Sequence, residues 1–341
     1  MATPLRRSLD IHISRKEILM DVTIEVKRFN PEDPVPSSYN QNYSLDVPEH
    51  FTVLDGLIKV REEVDESLAL RCSCRAAICG SCAMRVNGHA ALACKTKLAS
   101  VVDENGFVEV EPAGNLPVVK DLVVDMNPFW DRIRSVEPWL QPTGPEPVAE
   151  YLVPNEDMQH LTGVMGCIMC GACVSDCTVL EVDKNFLGPA ALAKAYRFVG
   201  DPRDGTDKER LGTYNEYGGI WDCTRCFECV QVCPKGVAPM ERIMVLRERA
   251  MDAGFQNTIG ARHTKAFEKL VAHSGWLDEL RLVPMTVGFF NIPKLLGMLP
   301  VAIRAGYRRK VPPLFHHSIP GVENVRRIYR KVTSLQKDGK S

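Results

Sequence analysis

The residues of this chain that could do chemistry are its cysteines. There are thirteen in 341 residues, and twelve fall into three ligand-like groups. One group reads Cys167-Ile-Met-Cys170-Gly-Ala-Cys173-Val-Ser-Asp-Cys177, and another reads Cys223-Thr-Arg-Cys226-Phe-Glu-Cys229-Val-Gln-Val-Cys233-Pro234. Both are C-x2-C-x2-C-x3-C, the ligand run of two-cluster iron–sulfur proteins, in which the fourth Cys of each run serves the other cluster. Three thiolates at equal steps wrap one cluster, and the longer last step throws the fourth thiolate towards its neighbour. Crossed ligands would couple folding to cluster binding. Zinc fits less well, because its sites take four N/S ligands, usually as two separated pairs. Disulfides would require an oxidising compartment, and the sequence shows no secretory signal.

The third group is Cys74-Arg-Ala-Ala-Ile-Cys79-Gly80-Ser-Cys82, followed after eleven intervening residues by Cys94. This C-x4-C-x2-C…C spacing belongs to plant-type [2Fe–2S] sites. Gly80 suits a loop that must turn amides towards sulfur, which often needs positive φ. Cys72 is the thirteenth Cys. Using it in place of Cys74 breaks the spacing, so it is expected to be a strand residue at the lip of the loop and not a ligand.

Elements that could position these groups follow from pattern. Val22 to Phe29 alternates and is rich in β-branched residues, and Tyr43 to Val47 reads as its partner strand. Thr52 caps a helix that buries Val53, Leu54, Leu57, Ile58 and Val60. Asn87-Gly88 marks a hairpin turn, and Phe107 to Glu111 a closing strand. Gly188-Pro189 opens a helix with Leu192, Ala195, Tyr196 and Val199 on one face, and Pro239 to Met251 forms another. A further helix is expected from about Thr258 to His273. Leu282 to Ile303 is apolar, but Pro284, Pro293, Lys294 and Pro300 rule against a spanning helix. That stretch reads either as a surface segment or as a docking surface, and Arg304, Arg308, Arg309 and Lys310 would suit an anionic membrane surface.

The fold class expected is α+β. An N-terminal plant-type ferredoxin (β-grasp) domain at 21–125 precedes an all-α two-cluster ferredoxin domain at 151–256. Residues 1–20 are expected to be a poorly ordered leader, with Met20 an alternative start. The Pro-rich stretch 126–150, with Trp130 and Trp139, is a linker that packs down. Residues 257–341 are a helical C-terminal extension for partner docking. Composition is that of an ordinary globular protein, and a net charge of −1 gives no electrostatic case for nucleic acid. Cluster thiolates need a reducing compartment, which points to the cytoplasm.

This arrangement resembles the iron–sulfur subunit of succinate dehydrogenase and fumarate reductase over roughly residues 20–250. Cys74-Arg75, Ile78-Cys79-Gly80-Ser81-Cys82, the stretch from Ala191 to Asp204 and Cys233-Pro234-Lys235-Gly236 carry the resemblance. It implies an electron relay in a succinate:quinone oxidoreductase, between a flavoprotein subunit that handles succinate or fumarate and a quinone at a membrane anchor. The chain would then sit peripherally on the cytoplasmic side of the membrane, held through its partners. Carried over residue by residue, [2Fe–2S] takes Cys74, Cys79, Cys82 and Cys94. The [4Fe–4S] cluster takes Cys167, Cys170, Cys173 and Cys233. The third cluster takes Cys177, Cys223 and Cys229.

The departures are informative. The family's middle position in the second run is apolar and leaves a [3Fe–4S] cluster, whereas Cys226 offers a fourth thiolate, so the third cluster is [4Fe–4S] if it ligates and [3Fe–4S] if it does not. The family's quinone pocket has Pro and Trp after the first run, where this chain has Thr178 and Val179 to Val182. The His that often follows the first Cys of the second run is Thr224, and Ala76-Ala77 replaces Glu-Gly. The tail, with Gly260-Ala-Arg-His263, Pro312-Pro313 and Ile328, resembles those of heterodisulfide-reductase-type and anaerobic glycerol-phosphate dehydrogenase subunits, whose partner is a cysteine-rich subunit. This implies a non-classical branch of the family. The alternative reading is the iron–sulfur subunit of a thiol-linked fumarate reductase or a heterodisulfide-reductase-like complex.

Overall fold

The computed structural model describes residues 19–311 and 317–338. The expected leader therefore falls mostly outside the described residues, as do Pro312 and Pro313. Two compact units interleave along the chain. One holds the residues up to Ser135 with Thr162–Glu181 and Cys226–Pro239. The other holds Val136–Leu161, Val182–Arg225 and the residues from Met240 onward.

The first unit is built on a five-stranded sheet. Its strands are β1 (Leu19–Arg28), β2 (Tyr39–Pro48), β3 (Ala83–Val86), β4 (His89–Leu92) and β5 (Phe107–Glu111). Their order is β2-β1-β5-β3-β4, with β1 parallel to β5 and the other pairs antiparallel. This is the β-grasp arrangement the opening strands and helix foretold. β1 and β2 run longer than their alternating patterns because ladder pairing continues from Leu19↔Pro48 to Arg28↔Tyr39. Met20 lies inside β1. Helix α1 (Val53–Lys59) is capped as expected: the Thr52 hydroxyl accepts from the Asp55 amide, and the Asp55 carboxylate takes the Thr52 amide. Its Leu54 and Leu57 join Ile24, Val26, Val108 and Val110 in the core. Asn87 and Gly88 make the β3–β4 turn with φ of 50° and 79°, as a two-residue hairpin requires. A short pair, β6 (Val118–Lys120) and β7 (Val123–Val124), follows.

One polar knot ties this unit together. Arg28, buried to 3% exposure, donates to Asp121 (2.8 Å), Asp65 (2.6 Å), Gln41 (3.0 Å), Ser67 (2.9 Å) and the Tyr43 hydroxyl. The Asp121 carboxylate also takes the amides of Phe29 and Ala69. The chain is thereby fixed one residue before the cysteine loop begins at Leu70. The hydroxyls of Ser67 and Tyr43, with Arg28, hold the Asp65 carboxyl well below the usual carboxylate range.

The Pro-rich stretch is not wholly a linker. It opens with helix α2 (Asn127–Ser135), which buries Phe129 and Ile133. Pro128 sits in the first turn, where its missing N–H costs nothing. The helices that follow are α3 (Asn155–Gln159), α4 (Thr162–Met165), α5 (Ala172–Ser175), α6 (Thr178–Val182), α7 (Gly188–Val199), α8 (Asp207–Tyr214), α9 (Glu228–Gln231) and α10 (Pro239–Asp252). After them come α11 (Ile259–Ser274), α12 (Glu279–Val287), α13 (Ile292–Gly297), α14 (Leu299–Tyr307) and α15 (Val322–Asp338).

In the second unit, α7 buries Leu192, Ala195, Tyr196 and Val199, the face read from sequence. Buried Arg210 on α8 donates to the carbonyls of Val136, Glu137 and Trp139, and the Tyr214 hydroxyl also donates to Val136. These bonds hold the start of the Pro-rich stretch down. Thr258 caps α11 through the Ala261 amide. Pro284 lies inside α12, and Pro293 and Pro300 sit in the first turns of α13 and α14. Among the described residues no helix is long and apolar enough to cross a membrane.

Candidate metal centres

The loop from Leu70 to Cys82 uses backbone that L-residues rarely adopt. Arg75, Ala77 and Gly80 have φ of 51°, 55° and 76°. Such residues swing successive N–H groups to one side, forming a concave nest for electron-rich atoms. Here the nest closes on sulfur. The Cys74 sulfur accepts from the amides of Ala76 (3.4 Å), Ile78 (3.4 Å) and Cys79 (3.3 Å), and the Cys94 sulfur accepts from Ala77 (3.3 Å). The Cys74 amide in turn faces the Cys79 sulfur at 3.5 Å. The Ser81 hydroxyl, 3.1 Å away, followed by backbone amides, brings the Cys79 thiol down to about 6. Burial pushes the Cys82 thiol up to about 12, with Cys94 and Cys79 close enough to act on it. Cys74, Cys79, Cys82 and Cys94 therefore share one cup.

Cys72 departs from its expected strand. Residues 69–72 are irregular because Ala69 bonds to the turn at Asp121 and Leu122 instead of a sheet neighbour. Its half-buried side chain packs against the sheet core.

The two long cysteine runs share a backbone pattern that spacing alone does not reveal. In the first, Met169 (φ 56°) and Gly171 (φ 80°) flank Cys170, and α5 follows. In the second, Arg225 (φ 62°) and Phe227 (φ 70°) flank Cys226, and α9 follows. Glycine adopts this region freely, but a non-glycine residue there costs about 1–3 kcal/mol and persists only where the surroundings impose it. Helices α5 and α9 pack on each other. Burial pushes the Cys173 thiol well up, and Cys170, Cys229, Cys167 and Cys233 lie near enough to push it further. Cys170 is raised by burial and then by Cys167 and Cys233. Thus Cys233 of the second run stands with the first three cysteines of the first. Cys177 is buried, and the neighbouring Thr178 hydroxyl approaches the Cys226 sulfur at 3.6 Å. Cys223 belongs to the second unit, where Arg247 donates to its carbonyl at 2.7 Å.

The donor set fits iron–sulfur clusters: all donors are thiols, with amides and hydroxyls aimed at sulfur. Cluster binding must displace protons from the raised thiols, which makes assembly pH-dependent.

Long-range contacts seat the first run on the sheet. Buried Asp176 accepts from Arg85 (2.9 Å) and the Ala90 amide (2.7 Å). Asn115 donates to the carbonyls of Val174, Ser175 and Cys177, satisfying the end of α5. A Cβ added to Gly80 would lie 2.7 Å from the Cys170 Cβ. The [2Fe–2S] loop therefore touches the first run at a point where only glycine fits. Arg85, Asn115 and Asp176 have no local sequence signal. Ser81 and Thr178 do, since each stands next to a candidate ligand.

In the second unit a cavity of about 910 Å³ borders the second run. Its lining includes Trp221, Cys223, Thr224, Arg225, His263 and Phe267. Helix α11 lies so close that a Cβ on Gly260 would meet the Trp221 Cβ at 2.4 Å. Arg247 also lines the cavity, donating to the Ile220, Trp221 and Cys223 carbonyls. The sequence motif Gly260 to His263 thus bounds a cavity beside a cysteine run.

The model of a 2Fe-2S iron-sulfur cluster binding domain matches residues 23–131, and that of a 4Fe-4S dicluster domain matches 163–237. The 8-methylmenaquinol:fumarate reductase iron-sulfur subunit of Wolinella succinogenes is 34% identical over 299 residues, 84% of this chain and 92% of its own. So wide a match cannot stop short of the C-terminal extension. The mitochondrial succinate dehydrogenase (ubiquinone) iron-sulfur subunit 1 of Oryza sativa subsp. japonica is 36% identical, over 68% of this chain and 83% of its own. The fumarate reductase iron-sulfur subunit of Mycobacterium tuberculosis is 39% identical, over 65% and 90%. A chain of the Mycobacterium smegmatis Sdh1 complex in the apo form superposes with a TM-score of 0.64 at 26% identity, over 70% of this chain and 99% of that one. These names favour succinate or fumarate chemistry over a heterodisulfide-reductase-like complex. The chain belongs to the iron–sulfur subunits of succinate dehydrogenase and fumarate reductase, the electron-transfer subunits of those oxidoreductases.

Proposed function

We propose that this chain relays electrons through three clusters between a flavoprotein subunit and a quinone, and that its third cluster has four irons. The assigned ligands are Cys74, Cys79, Cys82 and Cys94 for [2Fe–2S]; Cys167, Cys170, Cys173 and Cys233 for [4Fe–4S]; and Cys177, Cys223, Cys226 and Cys229 for the third. When bound, such clusters supply one-electron redox chemistry tuned by ligation, hydrogen bonds to sulfur and burial. The chain's own residues set those terms. The amides of Ala76, Ile78 and Cys79 donate to the Cys74 sulfur, and the Gly80 contact brings the first loop against the first run.

One observation carries the four-iron assignment: the paired positive-φ residues around Cys226 repeat those around Cys170. Arg225 and Phe227 accept a strained backbone that presents Cys226 as its counterpart is presented. The Cys226 thiol is exposed, with the Thr178 hydroxyl beside it. Cys226→Ile should convert the third site to a three-iron cluster. An oxidised [3Fe–4S] electron paramagnetic resonance signal, weak in anaerobically prepared wild type, should then become strong. A strong signal in fresh wild type would count against Cys226.

The quinone end is assigned to the cavity beside Cys223, whose volume suits a small-molecule site. Thr224 supplies no imidazole, but His263 on α11 faces the same cavity, its Nδ1 3.3 Å from the Thr286 hydroxyl. Quinone reduction consumes two protons with its two electrons, and His263 is placed to deliver one. His263→Ala should lower turnover with a water-soluble quinone by about a hundredfold, the usual scale of a lost general acid. Dye reduction at the flavoprotein should be unchanged. Equal loss with dye and quinone, or no loss at all, would contradict the assignment. The membrane partner is an anchor or cysteine-rich subunit docked on the C-terminal extension, beside the segment from Phe289 to Lys310.

A further inference from the structure

Beyond α12, the apolar stretch of the extension folds into two helices that are too short to span a membrane and bury none of their residues. Helices α13 and α14 contain no buried residue. Ile292 and Leu296 share one side of α13, and Leu299, Ile303 and Tyr307 share one side of α14, by the four-residue spacing of a helix face. Phe289 and Phe290 precede them. These side chains lie open to solvent, Phe290 at 97% and Tyr307 at 92% exposure. Pro293 and Pro300 break the run into two short helices, too short to cross a bilayer but able to lie flat.

Charge identifies the occupant. Between Glu279 and Glu323 the sequence contains no Asp or Glu, in a chain whose acids and bases nearly balance overall. Arg281, Lys294, Arg304, Arg308, Arg309 and Lys310 all fall in this interval. A solvent-exposed apolar face of this extent is an association site. Apolar and aromatic side chains accompanied by bases alone match the boundary of an anionic bilayer, where rings settle at headgroup level and bases meet lipid phosphates.

We propose that Phe289 to Lys310 is an in-plane anchor by which this chain binds an anionic lipid surface directly. The apolar residues enter the headgroup–acyl boundary, and Arg304, Arg308, Arg309 and Lys310 pair with lipid phosphates. The anchor is distinct from the cavity around His263, so the two can fail separately.

The test is flotation of the purified, cluster-loaded full chain with vesicles of phosphatidylcholine alone or mixed with phosphatidylglycerol. Wild type should float with the mixed vesicles and be released by high salt. Replacing Arg308, Arg309 and Lys310 together by Ser should weaken binding on the order of a hundredfold, since each base near the surface is worth about fivefold. Ile303→Glu should also detach the chain, with unchanged cluster absorbance showing that it folds. Should either variant fail to fold, hydrogen exchange on wild type decides: vesicles should protect residues 289–307. The proposal is overturned if wild type fails to float, if folded variants float as well as wild type, or if that segment is protected only by a partner subunit and not by vesicles.

Discussion

Cys74→Ala should abolish the [2Fe–2S] signal and reduce electron flow from succinate to quinone to background, while Cys72→Ala leaves both intact. The two cysteines are two residues apart and equally reactive in principle. What separates them is where backbone amides point. Three converge on the Cys74 sulfur, two of them from residues beyond the left-handed turn at Ala77. These amides present hydrogen-bond donors to the sulfur through which a cluster would be bound. Cys72 instead lies half-buried against the sheet core. The check is low-temperature electron paramagnetic resonance on the dithionite-reduced proteins. Loss of the signal in the Cys72 variant alone would reverse the assignment.

The second large effect is on stability. Arg28→Met leaves Asp121 buried without its guanidinium, and breaking a buried pair from one side costs about 3–5 kcal/mol. That is a large fraction of the roughly 5–15 kcal/mol that holds a domain together. Thermal melting followed by the visible circular dichroism of the [2Fe–2S] site should show the loss, because the knot fixes residues 65–69 just before the cysteine loop. The pH dependence follows from Asp65. Its folded carboxyl titrates below the unfolded value of about 4. Its contribution is therefore complete above that value and is lost as pH falls towards the lower folded one. Wild type should lose stability on acidification through that window, and Arg28→Met should lose less. A variant within about 1 kcal/mol of wild type would remove the knot from the account.

The parts of this molecule that were legible in sequence are those written locally. Cysteine spacing marked the three groups, Asn87-Gly88 marked the hairpin, and Thr52 and Thr258 marked helix starts. Each is a short-range code whose physics involves only neighbours. The extent of β1 and β2 was not legible, because ladder partners set strand ends. Cys72 was misplaced for a related reason: Asp121, some fifty residues away, takes the Ala69 amide and draws the segment out of any strand. The helix at Asn127–Ser135 was obscured by Pro128, which disfavours a helix interior but not its first turn. At the candidate site, the seating of Asp176 by Arg85 and Ala90 joins residues about ninety apart. The matched φ signs around Cys170 and Cys226 were hidden because Arg and Phe do not advertise a left-handed backbone as Gly171 does. The extension's acid-free interval was readable from composition, but its exposure was not.

The central claim is that twelve cysteines of this one chain hold three iron–sulfur clusters. The most direct measurement is iron, acid-labile sulfide and zinc per chain in anaerobically purified protein. The account predicts about ten irons with matching sulfide, two in the first cluster and four in each of the others. Stoichiometric zinc with little acid-labile sulfide would contradict it.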